Sequence, residues 1–283
     1  MPFDFDMTIG RFTLDWGYHV DNKPWFTDVQ KDGFLFTKVF NANFYASAFI
    51  NREDFGNTHN KDLMDPNSDV LAYGARADFA TENFQIGLQY FHWNFKDATT
   101  LGTNDNVTAY NINSRYNFRN YFLVFGEYWR QNLDPFWMVT NESNPNAYRV
   151  GFFVPQSTLK YTNLWVEYNN WDAGFVLQND PFAKYSADVV FAVSRSNMAF
   201  DERTNAWFGK LEQKWSDTWS TFGRYVLVTQ ENTVDQKVTN WSVGVIHKYT
   251  PSLSFELSYD NLKFENLNKT DDHLIRFKTN VSF

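Results

Sequence analysis

Ile275-Arg276-Phe277-Lys278-Thr279-Asn280-Val281-Ser282-Phe283 closes the chain on an alternation of apolar and polar side chains. Successive side chains on a strand point to opposite faces. Ile275, Phe277, Thr279, Val281 and Phe283 therefore share one face, and Arg276, Lys278, Asn280 and Ser282 share the other. A face carrying bases, backed by a face that ends in an aromatic, suits a wall one residue thick between lipid and water. A soluble protein seldom has a use for such an ending.

Composition extends that reading to the whole chain. Its 283 residues are 20% aromatic, with 30 Phe, 15 Tyr and 11 Trp, yet its mean hydropathy is −0.51. The rings are spread among Asn, Asp, Thr, Ser, Lys and Arg instead of gathering in long apolar stretches. No run of about 18 apolar residues exists, so a membrane helix is excluded and a barrel is left open. There are 0 cysteines, which removes disulfides and thiolate metal sites. The net charge of −8 argues against a nucleic-acid partner. MPFDFDMTIGRF enters a strand at once with no secretory leader, so the expectation is one barrel over residues 1–283, with N-terminal strands or a tether outside this numbering.

Strands of about 9–13 residues alternate along the chain, longer than the usual globular strand. Leu71, Tyr73, Ala75, Ala77 and Phe79 oppose Ala72, Gly74, Arg76 and Asp78. Leu253, Phe255, Leu257 and Tyr259 oppose Ser254, Glu256, Ser258 and Asp260. Short turns at 41–42, 81–82, 119–120, 216–218 and 250–252 alternate with longer polar loops at 18–32, 53–68, 96–105, 131–146, 231–238 and 265–271. That asymmetry predicts an all-β, antiparallel up-and-down transmembrane β-barrel of about 14–16 strands, with short periplasmic turns and long extracellular loops. Rings beside the tight turns, such as Phe79, Phe84, Phe118, Tyr121, Trp215, Trp219 and Tyr249, fit an interfacial girdle.

Two stretches resemble known proteins. The ending on Phe283 resembles the C-terminal insertion signal of bacterial outer-membrane proteins, which implies recognition by the outer-membrane insertion machinery. The stretch from Gly10-Arg11 through Asp32-Gly33 resembles the region of general porins where a Gly-Arg strand precedes a loop and an Asp-Gly strand start. The chain as a whole resembles 16-stranded porins, including the subgroup tethered by an S-layer homology domain, although no such domain is visible. The resemblance implies a homotrimer in the bacterial outer membrane, with a loop folded into the lumen of each barrel. It implies a water-filled channel for passive diffusion of small hydrophilic solutes and ions, needing no cofactor.

For such a channel the working parts are lumen charges. Alternation puts Arg76, Asp78, Arg115, Glu167, Arg224, Lys248, Glu256, Asp260, Arg276 and Lys278 on inward faces. Two segments are candidates for the constricting loop. Loop 53–68 is acidic, with Glu53, Asp54, Asp62 and Asp65, and segment 176–203 contains the apolar run Val189 to Val193. Asp65-Pro66-Asn67-Ser68-Asp69 has oxygen ligands but neither the Gly turn nor the distal Glu of a calcium loop, so it reads as a solvated turn. His19, His59, His92, His247 and His273 are scattered and belong to no nucleophile or metal motif. Two rival readings remain at this level: an outer-membrane barrel hydrolase, and a soluble carbohydrate-binding β-sandwich using Trp16, Trp25, Trp93 and Trp171. Period-two alternation alone does not separate a sandwich from a barrel.

Overall fold

The computed structural model describes residues 5–14, 16, 29–54, 69–95, 105–135, 138, 142–177, 195–196, 199–231, 234–267 and 269–281. In chain order the strands are β1 (Asp6–Leu14), β2 (Val29–Asn41), β3 (Phe44–Asp54), β4 (Asp69–Ala80), β5 (Phe84–Phe95) and β6 (Asp105–Phe118). There follow β7 (Phe122–Leu133), β8 (Asn146–Val154), a one-turn helix α1 (Gln156–Leu159), β9 (Asn163–Trp171), and the short β10 (Arg195–Ser196) and β11 (Ala199–Phe200). The chain finishes through β12 (Thr204–Lys214), β13 (Trp219–Gln230), β14 (Gln236–Thr250), β15 (Leu253–Glu265) and β16 (Asp272–Val281). Fourteen of these form one sheet in strict chain order, and β10 pairs with β11 in a separate hairpin. Every neighbouring pair is antiparallel, so β1 and β16, the two edges, also run antiparallel to one another. No helix among the described residues is long and apolar enough to cross a membrane.

The tight turns fall where turn chemistry places them. Asn41 Oδ1 accepts from the backbone N–H of Asn43 (2.8 Å) and Phe44 (2.9 Å), closing the β2–β3 hairpin. Arg119 and Asn120 both take positive φ, 47° and 62°, the backbone of a hairpin turn that follows the sheet's twist. Ser216 Oγ caps the β12–β13 turn by accepting from Thr218 and Trp219. The β8–β9 connection differs: Pro155 starts α1, and Lys160 (φ 73°) ends it in the left-handed region. Both β1 and β16 have their outer ends on this tight-turn rim.

The two faces of the wall have opposite chemistry. Val243 and Leu257 are 51% and 49% exposed, where a sandwich would seal them between sheets. Asp78, Glu167 and Asp260 are 0% exposed. Oily groups thus cover the exposed face, while buried charges and amides share the other face with a cluster of rings and aliphatic groups such as Phe91, Trp129 and Phe208.

Rings organise the exposed face into two belts. Ten consecutive sheet strands, β4 to β9 and β12 to β15, carry Tyr73, Tyr90, Tyr110, Tyr128, Tyr148, Tyr168, Trp207, Tyr225, Trp241 and Tyr259 toward the long-loop rim. Neighbours touch: Tyr90 and Tyr110 centroids lie 5.5 Å apart, Tyr168 and Trp207 4.6 Å, Trp241 and Tyr259 5.5 Å. The second belt follows the tight turns, with Phe40 on Phe44 (5.1 Å), Phe118 stacked on Phe122 (5.1 Å) and Trp219 stacked on His247 (4.2 Å). Aliphatic side chains such as Leu88, Ile112, Val150 and Leu211 fill the interval. A spacing of six residues, as from Tyr90 to Phe84, spans roughly 20 Å along a strand. Two such belts flanking an oily band suit a bilayer.

Candidate functional site: the buried face of the wall

Cross-strand register assembles the buried face. Residues directly opposite in an antiparallel pair share a face, so one row runs Asn113, Glu127, Arg149, Asn169 across β6 to β9. Within it Arg149 lies between two acids. Its Nε donates to Glu127 Oε1 at 2.9 Å, its Nη2 also contacts Glu127, and Nη1 stands 3.5 Å from Glu167 Oε1. All three side chains are essentially sealed from water. Beside them Arg76 on β4 grips Asp78 through Nε and Nη2 at 2.5 and 2.6 Å.

A second cluster, on β13 to β16, is looser. Arg224 Nη2 stands 3.5 Å from Glu256 and 3.7 Å from Asp260, and Arg276 Nε is 3.7 Å from Asp260. Ser242 and Ser258 both donate to Asp260. Nε and Nη2 of Arg224 make no hydrogen bond within the protein, and its guanidinium lies 4.6 Å from the Phe222 ring centre. Lys210 and Glu212 form a further pair at 2.6 Å.

All ten charged residues singled out from the sequence fall on this face. Arg76, Asp78, Glu167, Arg224, Glu256, Asp260 and Arg276 are joined in the ion pairs above. Arg115, Lys248 and Lys278 share the face by register, opposite Phe125, Ser254 and Glu256. Glu53 and Asp54 lie in the backbone of β3; their side chains, with Asp62, Asp65, Val189–Val193 and Phe283, lie outside the described residues. His247 is on the opposite, ringed face, against Trp219. The motif residues Gly10, Arg11, Asp32 and Gly33 are direct cross-strand partners, Gly10 with Gly33 and Arg11 with Asp32.

Sequence reading passed over Glu127 and Arg149, two buried charges of this face. The signal was present, since alternation in β7 puts Phe125, Glu127, Trp129 and Gln131 on one side. Two segments fold onto the buried face: one is the start of the 176–203 candidate, and the other, at Trp16, was passed over. Gln131 Nε2 donates to Val176 O (2.7 Å) while its Oε1 accepts from Val176 N (2.8 Å), as a neighbouring strand would. Phe175, Val176 and Leu177 are buried there. Likewise Gln89 Nε2 donates to Trp16 O (2.6 Å), and the Trp16 ring packs on Phe49 and Phe91, both at 5.4 Å.

Three rings on this face lie flat against glycines. Gly74, Gly151 and Gly244 stand directly opposite Phe49, Phe125 and Phe222. A Cβ on each would come within 2.5, 2.4 and 2.5 Å of the ring. Only glycine leaves room for that approach. Among the described residues no cluster of three or more acids and histidines is placed to hold a metal ion.

No protein-family model matches the chain, and no curated protein matches it either. Solved structures do. OccD3 (OpdP) of Pseudomonas aeruginosa has a TM-score of 0.58 at 13% identity, covering 98% of this chain and 74% of that one. The outer membrane protein OprD from Pseudomonas aeruginosa has a TM-score of 0.58 at 12% identity, covering 98% and 75%. OpdK of the same organism, solved with vanillate, gives 0.58 at 12%, again covering 98% and 75%. The fold is that of an up-and-down β-barrel of the outer-membrane porin type. At such identities the likeness shows the fold alone. The chain spans about three quarters of the length of these structures.

Proposed function

We propose that the protein is a porin of the bacterial outer membrane, forming a water-filled passage for passive diffusion of small hydrophilic solutes and ions. One observation carries the reading: the outward face is covered by exposed rings and aliphatic groups, while the charges and amides, set among further rings, lie on the buried face. An oily exterior around ionised interior groups is what a membrane around an aqueous bore favours. The likeness in fold to the outer membrane protein OprD supports it. In this reading β1 and β16 meet to close the barrel, and Arg76, Asp78, Arg115, Glu167, Arg224, Lys248, Glu256, Asp260, Arg276 and Lys278 line the bore. Opposed acids and bases there set a transverse field that favours ions and polar solutes. The segments at Trp16 and Phe175–Leu177, held by Gln89 and Gln131, narrow the passage. The protein assembles as a homotrimer, reaches the membrane through the insertion machinery that reads Phe283, and performs no catalysis.

Reconstitution into a planar bilayer tests the reading. The expected result is stepwise openings with a linear current–voltage relation; folded protein that gives none overturns it. Replacing Arg76 and Arg115 with Gln is expected to shift selectivity toward cations. An unchanged reversal potential in a salt gradient removes both from the narrow part.

A further inference from the structure

The belt of rings at the long-loop rim belongs to the plane where headgroups meet the wall, so it marks one level around the sheet. Across each long loop its members stand directly opposite: Tyr90 with Tyr110, Tyr128 with Tyr148, Tyr168 with Trp207, Tyr225 with Trp241. Across each tight turn the level moves two residues toward the turn. Tyr73 faces His92 while Tyr90 carries the ring, and Tyr110 faces Arg130 while Tyr128 carries it. The same step recurs from Tyr148 to Tyr168, Trp207 to Tyr225 and Trp241 to Tyr259. Two residues per pair of strands is one residue, about 3.3 Å, for each strand spacing of about 4.8 Å. The strands therefore lean about 35° from the barrel axis, the slope of a closed membrane barrel.

The belt has a gap at the four edge strands, and register carries the level through it. From Tyr73 it passes to Ile50 on β3, Asp32 on β2 and Arg11 on β1. From Tyr259 it passes to Ile275 on β16. Arg11 and Ile275 therefore stand at one height on the two edges of the sheet. Both β1 and β16 have their outer ends on the tight-turn rim, so their junction takes the two-residue step of a tight turn. Ile275 then faces the residue two places further from that rim than Arg11, which is Thr13.

We propose that the barrel closes in this one register, with Thr13 opposite Ile275. On the outward face Arg11 then stands opposite Phe277, and Ile9 opposite Thr279. On the inward face Leu14 stands opposite Leu274, Phe12 opposite Arg276, Gly10 opposite Lys278 and Thr8 opposite Asn280. The inference rests on the meeting of β1 and β16 in the reading above and adds its alignment. The level line then returns to its starting point after one circuit. Fourteen strands at that slope put the backbone about 13 Å from the axis of the bore.

Inward side chains agree with this alignment. A slip of one residue would turn each face inside out. A slip of two would set Leu14 against Asp272 one way and against Arg276 the other, an apolar side chain against a charge. In the proposed register Leu14 covers Leu274, an apolar side chain that shares the face of Asp260 and is 39% exposed. Arg276 meets the Phe12 ring, as Arg224 meets Phe222 at 4.6 Å. Gly10 is the direct partner of Gly33, so the inner wall beside Lys278 carries no side chain over two strands.

The chain has 0 cysteines, so paired cysteines report the register directly. A disulfide needs Cα atoms about 4.4–6.8 Å apart, whereas residues two places out of register lie about 7–8 Å apart. Full-length protein, folded in detergent and in vesicles, is oxidised with copper phenanthroline. The bond is read as faster migration of the heat-unfolded chain on non-reducing gels. Ile9→Cys with Thr279→Cys, or Thr8→Cys with Asn280→Cys, is expected to close at least ten times faster than Ile9→Cys with either Phe277→Cys or Val281→Cys. Successive pairs alternate between close and wide spacing, so the faster of the first two is the one compared, and either serves if the other fails to fold. Faster closure of a slipped pair, bonds between chains, or no bond in any folded variant overturns the proposal. A protein that cross-links as expected yet passes no current keeps the register and overturns the porin reading.

Discussion

Two charge clusters on the same face of the wall are built to different standards. On β7 to β9, Arg149 is enclosed by Glu127 and Glu167, and water reaches none of the three. On β13 to β16, Arg224 stands 3.5 Å or more from its acids, and two of its nitrogens lack a hydrogen-bond partner in the protein. Burial with tight pairing makes the first cluster a rivet of the wall. Looseness leaves the second with two buried N–H donors that no acceptor in the protein satisfies. Charge on the buried face is therefore not one thing: one cluster is tightly paired and the other is not.

The largest effect that tests this contrast is Arg149→Leu. It strands two buried carboxylates and is expected to cost about 3–5 kcal/mol. Loss of folded mobility on unheated gels, or a much lower unfolding midpoint, measures it. Adding Glu127→Gln and Glu167→Gln should recover much of that loss, because the uncompensated charge is then gone. Gln131→Leu comes next. It leaves the Val176 N–H and C=O unpaired at a buried site, for about 1–3 kcal/mol. In single-channel records it should add flickering as residues 175–177 come loose. Arg224→Gln is expected to change stability less than Arg149→Leu, because Arg276 still stands 3.7 Å from Asp260, yet to move the reversal potential toward cations. If Arg224→Gln unfolds the protein while Arg149→Leu only alters selectivity, the assignment is reversed.

Legibility in the sequence followed the range of the signal. Strand parity needs only residues two apart, so inward and outward sets such as Arg76 and Asp78 against Ala75 and Ala77 were readable directly. Tight turns built from Asn, Ser and Thr were readable as well: those read at 41–42, 81–82 and 216–218 fall at 42–43, 81–83 and 215–218 in the structure. The β8–β9 connection was not, because Pro155 and a single helical turn replace the usual hairpin residues. The Glu127–Arg149–Glu167 triad was missed because it joins three strands whose register depends on that unread connection. The belt at the long-loop rim and its gap were missed for a related reason. Its rings lie one to a strand and line up as a belt only once each strand's offset is known.

In the proposed channel the flat-lying rings would add a second kind of control. Phe125 can rest on the wall because Gly151 lacks a methyl group. With Gly151→Ala the ring has to tip away from the sheet and toward the passage, shrinking its calibre with every charge unaltered. Sieving and ion preference would then be separate heritable traits, one tuned by single methyl groups beneath aromatic shutters and the other by Arg224 and its acids.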